Sequence, residues 1–223
     1  EEPSSYVIFI LATTEKHKIL PTILSRCQVY DFNRISVEDT VAHLQNIAQK
    51  EGVEAELEAL NIIAVKSDGG MRDALSTFDQ VVSFCGKKIT YKDVIDNLGV
   101  LDYDYYFTLT NLCLQQKMSE ALLLFNDILN KGFDAGNFIS GLLAHFRDLL
   151  VCKDAATAKL LEVGAGIRQR YIQQAELCPA DFLLDCMEET NQTELEYKQS
   201  KNKRLLVELM LIRLCQATDQ KKK

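Results

Sequence analysis

The alternation of apolar and polar positions divides the chain into three stretches. Residues 6–12, YVIFILA, are apolar without interruption and rich in Val, Ile, Tyr and Phe, the pattern of a strand buried on both faces of a parallel sheet. Such a strand needs neighbours, and CQVYDF at 27–32 offers one more at most. Two lone strands cannot make a stable parallel sheet. The pattern therefore predicts that residues 1–35 are the remnant of a larger α/β domain whose preceding part has been removed, and the opening EEPSS, without an initiating Met, fits that expectation.

From Ser36 to Gly99 the period becomes helical. Ser36 with Asp39 makes a capping-box variant, Val37, Val41, Leu44, Ile47 and Ala48 follow at helical spacing, and Gly52 supplies the stop. Leu57, Leu60, Ile63 and Ala64 mark a second helix, broken by SDGG at 67–70. A third starts at Met71 and Arg72, buries Ala74, Leu75, Phe78, Val81, Val82 and Cys85, and ends at Gly86; Thr90 then caps a short helix, YKDVIDNL. Residues 36–99 thus read as a small helical module.

Residues 100–217 read as a second helical region, with expected spans 103–116, 119–131, 135–153, 166–177, 180–198 and 203–217 and a shorter turn near AKLLE. Pro179 falls where a helix begins, a position at which its missing N–H costs nothing. The last helix, with LLVELMLIRLC at 205–215, is apolar on nearly every face, so it is either central in its own domain or covered by a partner. Residues 218–223 read as a tail.

Composition narrows the chemistry. The chain has 32 Asp and Glu against 25 Lys and Arg, net −7, a poor balance for a general polyanion binder. Its basic cluster, YKQSKNKR at 197–204, reads first as a solvated loop or helix start. The longest early apolar run falls far short of the roughly 20 residues of a membrane span, and no basic stretch precedes it as a signal peptide requires; the expected compartment is cytoplasmic. Seven cysteines without any C-x-x-C pair read as reduced, mostly buried thiols. His17, His43 and His145 lie far apart with no cysteine or carboxylate at ligand spacing, and no metal site is expected.

Few residues invite chemistry. The sequence contains no G-x-x-x-x-G-K-[ST] phosphate loop, no G-x-S-x-G turn, no H-E-x-x-H helix and no Gly-rich dinucleotide turn. Paired carboxylates such as Asp102 with Asp104, or Glu188 with Glu189, sit in charge-dense stretches and read as solvated. GGMRDALS at 69–76 differs. Two glycines let the backbone turn closely, and an arginine at a helix start is disfavoured by the helix dipole unless an anion lies nearby. A plain surface arginine is the competing reading.

The order FILATTEKHKILPTILSRCQVYDF, then GGMRDALSTFDQ inside a small helical module, then VIDNLGVLD and a helical region, resembles the gamma/tau subunits of the bacterial DNA polymerase III clamp loader, a family of AAA+ ATPases, over the whole chain. The resemblance implies a mostly α fold: the end of an α/β nucleotide-binding domain (1–35), a helical lid (36–99) and a helical collar (100–217). It implies roles for three residues. Arg26, in the SRC motif, would be an arginine finger acting in trans on ATP held by a neighbouring subunit. Thr14 would be sensor 1, with Thr13 as the alternative, and Arg72 would be sensor 2, touching the phosphates of its own subunit's ATP. The parent would use ATP and Mg²⁺ to load the sliding clamp onto primed DNA, assembled with other gamma/tau, delta and delta-prime subunits. The phosphate loop, the acidic Mg²⁺ ligands and the family's zinc-binding cysteines would precede Glu1, so this polypeptide alone is expected to bind no cofactor and to be inactive as an ATPase. A helical interaction scaffold of other origin, or another AAA+ loader of the replication factor C type, are the alternatives.

Overall fold

A computed structural model describes residues 6–154, 156–161 and 163–217. The chain forms two compact units, Glu1–Arg34 and Ile35–Lys223; the expected tail at 218–223 lies outside the described residues.

The first unit departs from expectation. Residues 7–12 form no strand, and Tyr6 (86%), Ile8 (86%) and Ile10 (89%) are exposed where burial on both faces was predicted. CQVYDF at 27–32 is likewise not a strand among the described residues, with Tyr30 and Phe32 exposed. A strand is stabilised by the ladder its neighbours complete, and among the described residues this stretch has none to pair with. What does form is local: a 3-10 turn at Lys16–Lys18 and a single-turn helix, α1 (Pro21–Leu24), with proline in its first turn.

The second unit begins with four helices, α2 (Val37–Glu51), α3 (Leu57–Lys66), α4 (Met71–Cys85) and α5 (Tyr91–Leu98). Their ends obey local chemistry. The Ser36 hydroxyl accepts the Asp39 N–H at 3.1 Å, Gly52 takes the left-handed stop, and Thr90 with Asp93 closes a reciprocal capping box on α5. A two-residue parallel bridge, β1 (Glu54–Ala55) with β2 (Lys88–Ile89), joins the ends of the group; the helical pattern gave no sign of it. Leu44, Leu60, Ile63, Phe78, Val81, Ile89 and Val94 make the core of this group, while Leu75, Val82 and Cys85 are only partly buried against it.

Six further helices follow: α6 (Tyr103–Leu114), α7 (Met118–Asn130), α8 (Ala135–Val151), α9 (Ala165–Leu177), α10 (Ala180–Tyr197) and α11 (Lys203–Gln216), with a 3-10 turn at Ala158–Leu160. Pro179 is the N-cap of α10. Their separate core includes Phe107, Phe125, Phe138, Leu142, Phe146, Leu183, Val207 and Leu211. The length of α10 packs along α8, and α11 touches α6, α7, α8 and α10. Four neighbours explain why α11 is apolar almost all round. Val207, Met210, Leu211 and Leu214 are buried, and only Leu205 (48%) and Leu209 (42%) keep substantial exposure among its leucines. All seven cysteines are free thiols, with Cys27 exposed, Cys85 half-buried and the rest buried; Cys113 and Cys215 touch at 3.7 Å across α6 and α11. Among the described residues no helix is long and apolar enough to cross a membrane.

Candidate functional site

In the first unit, Thr14 lies in the exposed loop before the 3-10 turn; the hydroxyl of its neighbour Thr13 accepts the Glu15 N–H at 3.0 Å. The Lys16 ammonium reaches both Asp31 carboxylate oxygens at 3.1 Å, tying together the two ends of the loop that carries α1. Both groups are exposed, so the bond orders the loop more than it stabilises it. Arg26 follows the C-terminal end of α1. Its N–H donates to the Ile23 carbonyl at 3.0 Å, and the Ser25 hydroxyl donates to the Thr22 carbonyl at 3.2 Å. The apolar turn thereby fixes where the Arg26 backbone leaves, while the guanidinium is exposed and has no hydrogen bond or ion pair among the described residues. Thr14 and Arg26 share this unit, with no hydrogen bond between them.

In the second unit, Arg72 is the second residue of α4. The turn before it is tight. Ser67 is buried and its hydroxyl donates to the Ala64 carbonyl at 2.7 Å, and the Gly70 N–H donates to the Ser67 carbonyl at 2.9 Å. Asp68 and Gly69 both take positive φ, 47° and 77°. A Cβ on Gly70 would stand 2.9 Å from an Asp73 carboxylate oxygen and 3.2 Å from the Ser67 carbonyl, so the second glycine is required by close approach and the first by backbone conformation. The N-cap Gly70 supplies no side-chain acceptor to the first-turn N–H groups of α4, and Asp73 is the acidic residue of that turn. Arg72 is exposed beside them and makes no ion pair among the described residues. A guanidinium next to the positive end of a helix dipole, with no carboxylate holding it, is suited to a polyphosphate anion that satisfies both. Among the described residues no group of three or more His, Cys, Asp or Glu side chains is gathered as a metal cage.

Two features of the second unit have no counterpart in the sequence pattern. His145 is 1% exposed, stacked on Tyr106 and edge-on to Phe107. Its Nδ1 is paired with the Tyr171 hydroxyl at 2.9 Å. Burial pushes its imidazole down to about 3, the nearby Gln174 amide offsetting a little of that shift. The Gln174 amide N–H₂ in turn donates to the Phe107 carbonyl at 2.8 Å and to Asn111 Oδ1 at 2.9 Å. The second feature is a cavity of about 610 Å³ where α3 and α5 end beside α8, lined by Lys66, Leu98, Tyr103, Phe138, Ala144 and His145 among others. Residues distant in sequence build both, and periodicity carries no signal for either.

A family model described as DNA polymerase III clamp loader subunit, ATPase lid domain, matches residues 39–87. A second, DNA polymerase III subunits gamma and tau domain III, matches residues 89–223, and a model of the DNA polymerase III delta subunit matches residues 1–36. The chain is 34% identical over 220 residues to DNA polymerase III subunit tau of Bacillus subtilis (strain 168), covering 99% of this chain and 39% of that protein. It is 33% identical over 160 residues to DNA polymerase III subunit gamma of Buchnera aphidicola subsp. Baizongia pistaciae, covering 72% of this chain and 43% of that one. A solved Bacillus subtilis DNA clamp loader delta protein matches 82% of this chain and 57% of its own with a TM-score of 0.48 at 22% identity. The chain thus spans about two fifths of the length of the gamma and tau relatives. With the gamma and tau domain III model covering more than half of its residues and the clamp-loader lid model adjoining it, the chain belongs to the gamma/tau family of DNA polymerase III clamp-loader subunits.

Proposed function

We propose that this chain is the lid and collar part of a clamp-loader subunit that uses ATP binding and hydrolysis to load a sliding clamp onto primed DNA. The single observation that carries the reading is the unbroken succession of lid and gamma/tau domain III matches along one polypeptide, residues 39–87 then 89–223. On this reading residues 36–99 are the lid, 100–217 the collar through which the subunit joins other gamma/tau, delta and delta-prime subunits, and 1–35 the end of the nucleotide-binding domain.

Arg26 is then the arginine finger supplied in trans. A guanidinium is always charged and planar, and an arginine held out from its own unit without a local carboxylate is free to meet charge developing on a neighbour's phosphoryl group, an effect worth about 10³–10⁵ in rate where it operates. Arg72, at the α4 N-terminus, reads the phosphates of its own subunit, and Thr14 orients water or contacts the terminal phosphate. ATP with Mg²⁺ supplies the phosphoryl group and the charge neutralisation; this chain contributes guanidinium and hydroxyl groups to it.

The test uses full-length assemblies with Arg26→Ala in one subunit only. ATP binding is expected to persist while hydrolysis falls at the neighbouring subunit's site. A defect confined to the mutated subunit's own site would contradict the trans role. Arg72→Ala is expected to weaken nucleotide binding in its own subunit, measured with a fluorescent ATP analogue.

A further inference from the structure

The second unit has two cores with a cavity between parts of them. One core ends at Ile95 and the other begins at Leu101, and the chain crosses between α5 and α6 through Gly99, Val100 and Leu101 with Asp102 as the next cap. Gly99 is left-handed, with φ 60° and ψ 32°, and no heavy atom lies within 4 Å of the place its Cβ would occupy. The left-handed backbone favours glycine here, and the space on its Cβ side is open.

Side-chain bonds brace this crossing. The Lys66 ammonium donates to the Leu98 carbonyl at 2.8 Å, satisfying a carbonyl at the end of α5. The Tyr91 hydroxyl, from the first turn of α5, donates to Asp102 Oδ1 at 3.2 Å. The same Asp102 oxygen accepts the Asp104 N–H at 3.0 Å as the N-cap of α6. One carboxylate therefore both starts α6 and holds α5 to it. Burial first, and the Asp102 charge second, push the Tyr91 hydroxyl well above the ordinary phenol range, so it stays protonated as a donor. Beyond the brace lies the 610 Å³ cavity, with Val65, Lys66 and Leu98 on one side and Phe138, Ala144 and His145 on the other. Open volume on that side lets one core turn against the other without tearing close-packed side chains apart.

We propose that the Tyr91–Asp102 bond is a releasable latch on a hinge at Gly99, setting the angle between the α2–α5 group and the α6–α11 group, with the cavity as the space the movement uses. Opening the latch costs one hydrogen bond to a carboxylate and leaves the α6 cap intact, because Asp102 keeps the Asp104 N–H. The latch is separate from the nucleotide roles proposed for Arg26, Arg72 and Thr14.

The test is Tyr91→Phe in the full chain, which keeps the ring and removes the latch. Amide exchange read by mass spectrometry across residues 98–105, where Val100 N–H donates to Ile95 and Tyr105 N–H to Asp102, is expected to quicken about tenfold, the weight of one charge-assisted bond. Helices α3 and α10 should hold their protection. The chain contains no tryptophan, so Ala144→Trp places a sole reporter on the cavity wall, and acrylamide quenching of it is expected to rise when Tyr91→Phe is added. Unchanged exchange at 98–105, unchanged quenching, or an acceleration of equal size throughout α3 and α4 would each overturn the latch; the last would make the hydroxyl a stability bond of its own helical group.

Discussion

A buried histidine makes stability depend on pH in a direction that the structure dictates. His145 is 1% exposed among aromatic rings, and its imidazole is pushed from 6.5 down to about 3 by burial. In the folded chain it stays neutral at mild acidity, while in the unfolded chain it takes up a proton below about 6.5. The unfolded state therefore binds more protons between those two values, and stability is full above 6.5 and lost progressively as pH falls toward 3. Between about pH 7.5 and about pH 5 the linkage relation gives a loss of about 2 kcal/mol, rising toward about 4–5 kcal/mol at lower pH if no other group intervened. The assay is urea unfolding followed by far-UV circular dichroism at the two pH values, on the native chain and on His145→Gln. That variant keeps a polar group near Tyr171 and cannot titrate. The native chain should lose about 2 kcal/mol more than the variant over that interval. Equal losses in the two proteins, or a His145 ring proton that titrates near 6.5 by NMR in the folded chain, would refute the reasoning.

Other perturbations follow from particular contacts. Gly141→Ala drives a methyl into the Tyr106 hydroxyl and ring, and a loss of about 1–3 kcal/mol in urea unfolding is expected, partly relieved by adding Tyr106→Phe. Thr90→Ala opens the capping box of α5 and should cost about 1 kcal/mol by the same assay. A chain lacking residues 1–99 should still co-sediment with partner clamp-loader subunits; if it folds, by its helical circular dichroism, yet fails to associate, the collar assignment of 100–217 is wrong. The isolated 223-residue chain is expected to show no ATPase above background in a phosphate-release assay, since its sequence carries no phosphate loop, and turnover that survives repurification would contradict that.

Most helix boundaries were legible in the sequence because the forces that set them are local. Ser36 with Asp39, Thr90 with Asp93, and Gly52 each act within a few residues of where they stand, and the apolar period that marks α2, α4 and α8 is repeated every turn. The turn that positions Arg72 was legible for the same reason, as a glycine pair before a helix start. The apolar run at 6–12 shows the limit of such reading. Its composition says that something should cover it, and carries no information about what; the described residues supply no neighbouring strand, and the segment is exposed and without regular secondary structure. Tertiary structure alone decided the β1–β2 bridge, the His145–Tyr171 pair 26 residues apart, the approach of Gly141 to Tyr106, and the Tyr91–Asp102 bond beside the cavity. Each depends on side chains or backbones brought together by packing of separate helices, and the energy of such a contact belongs to the pair, so neither residue's own neighbourhood in sequence can reveal it.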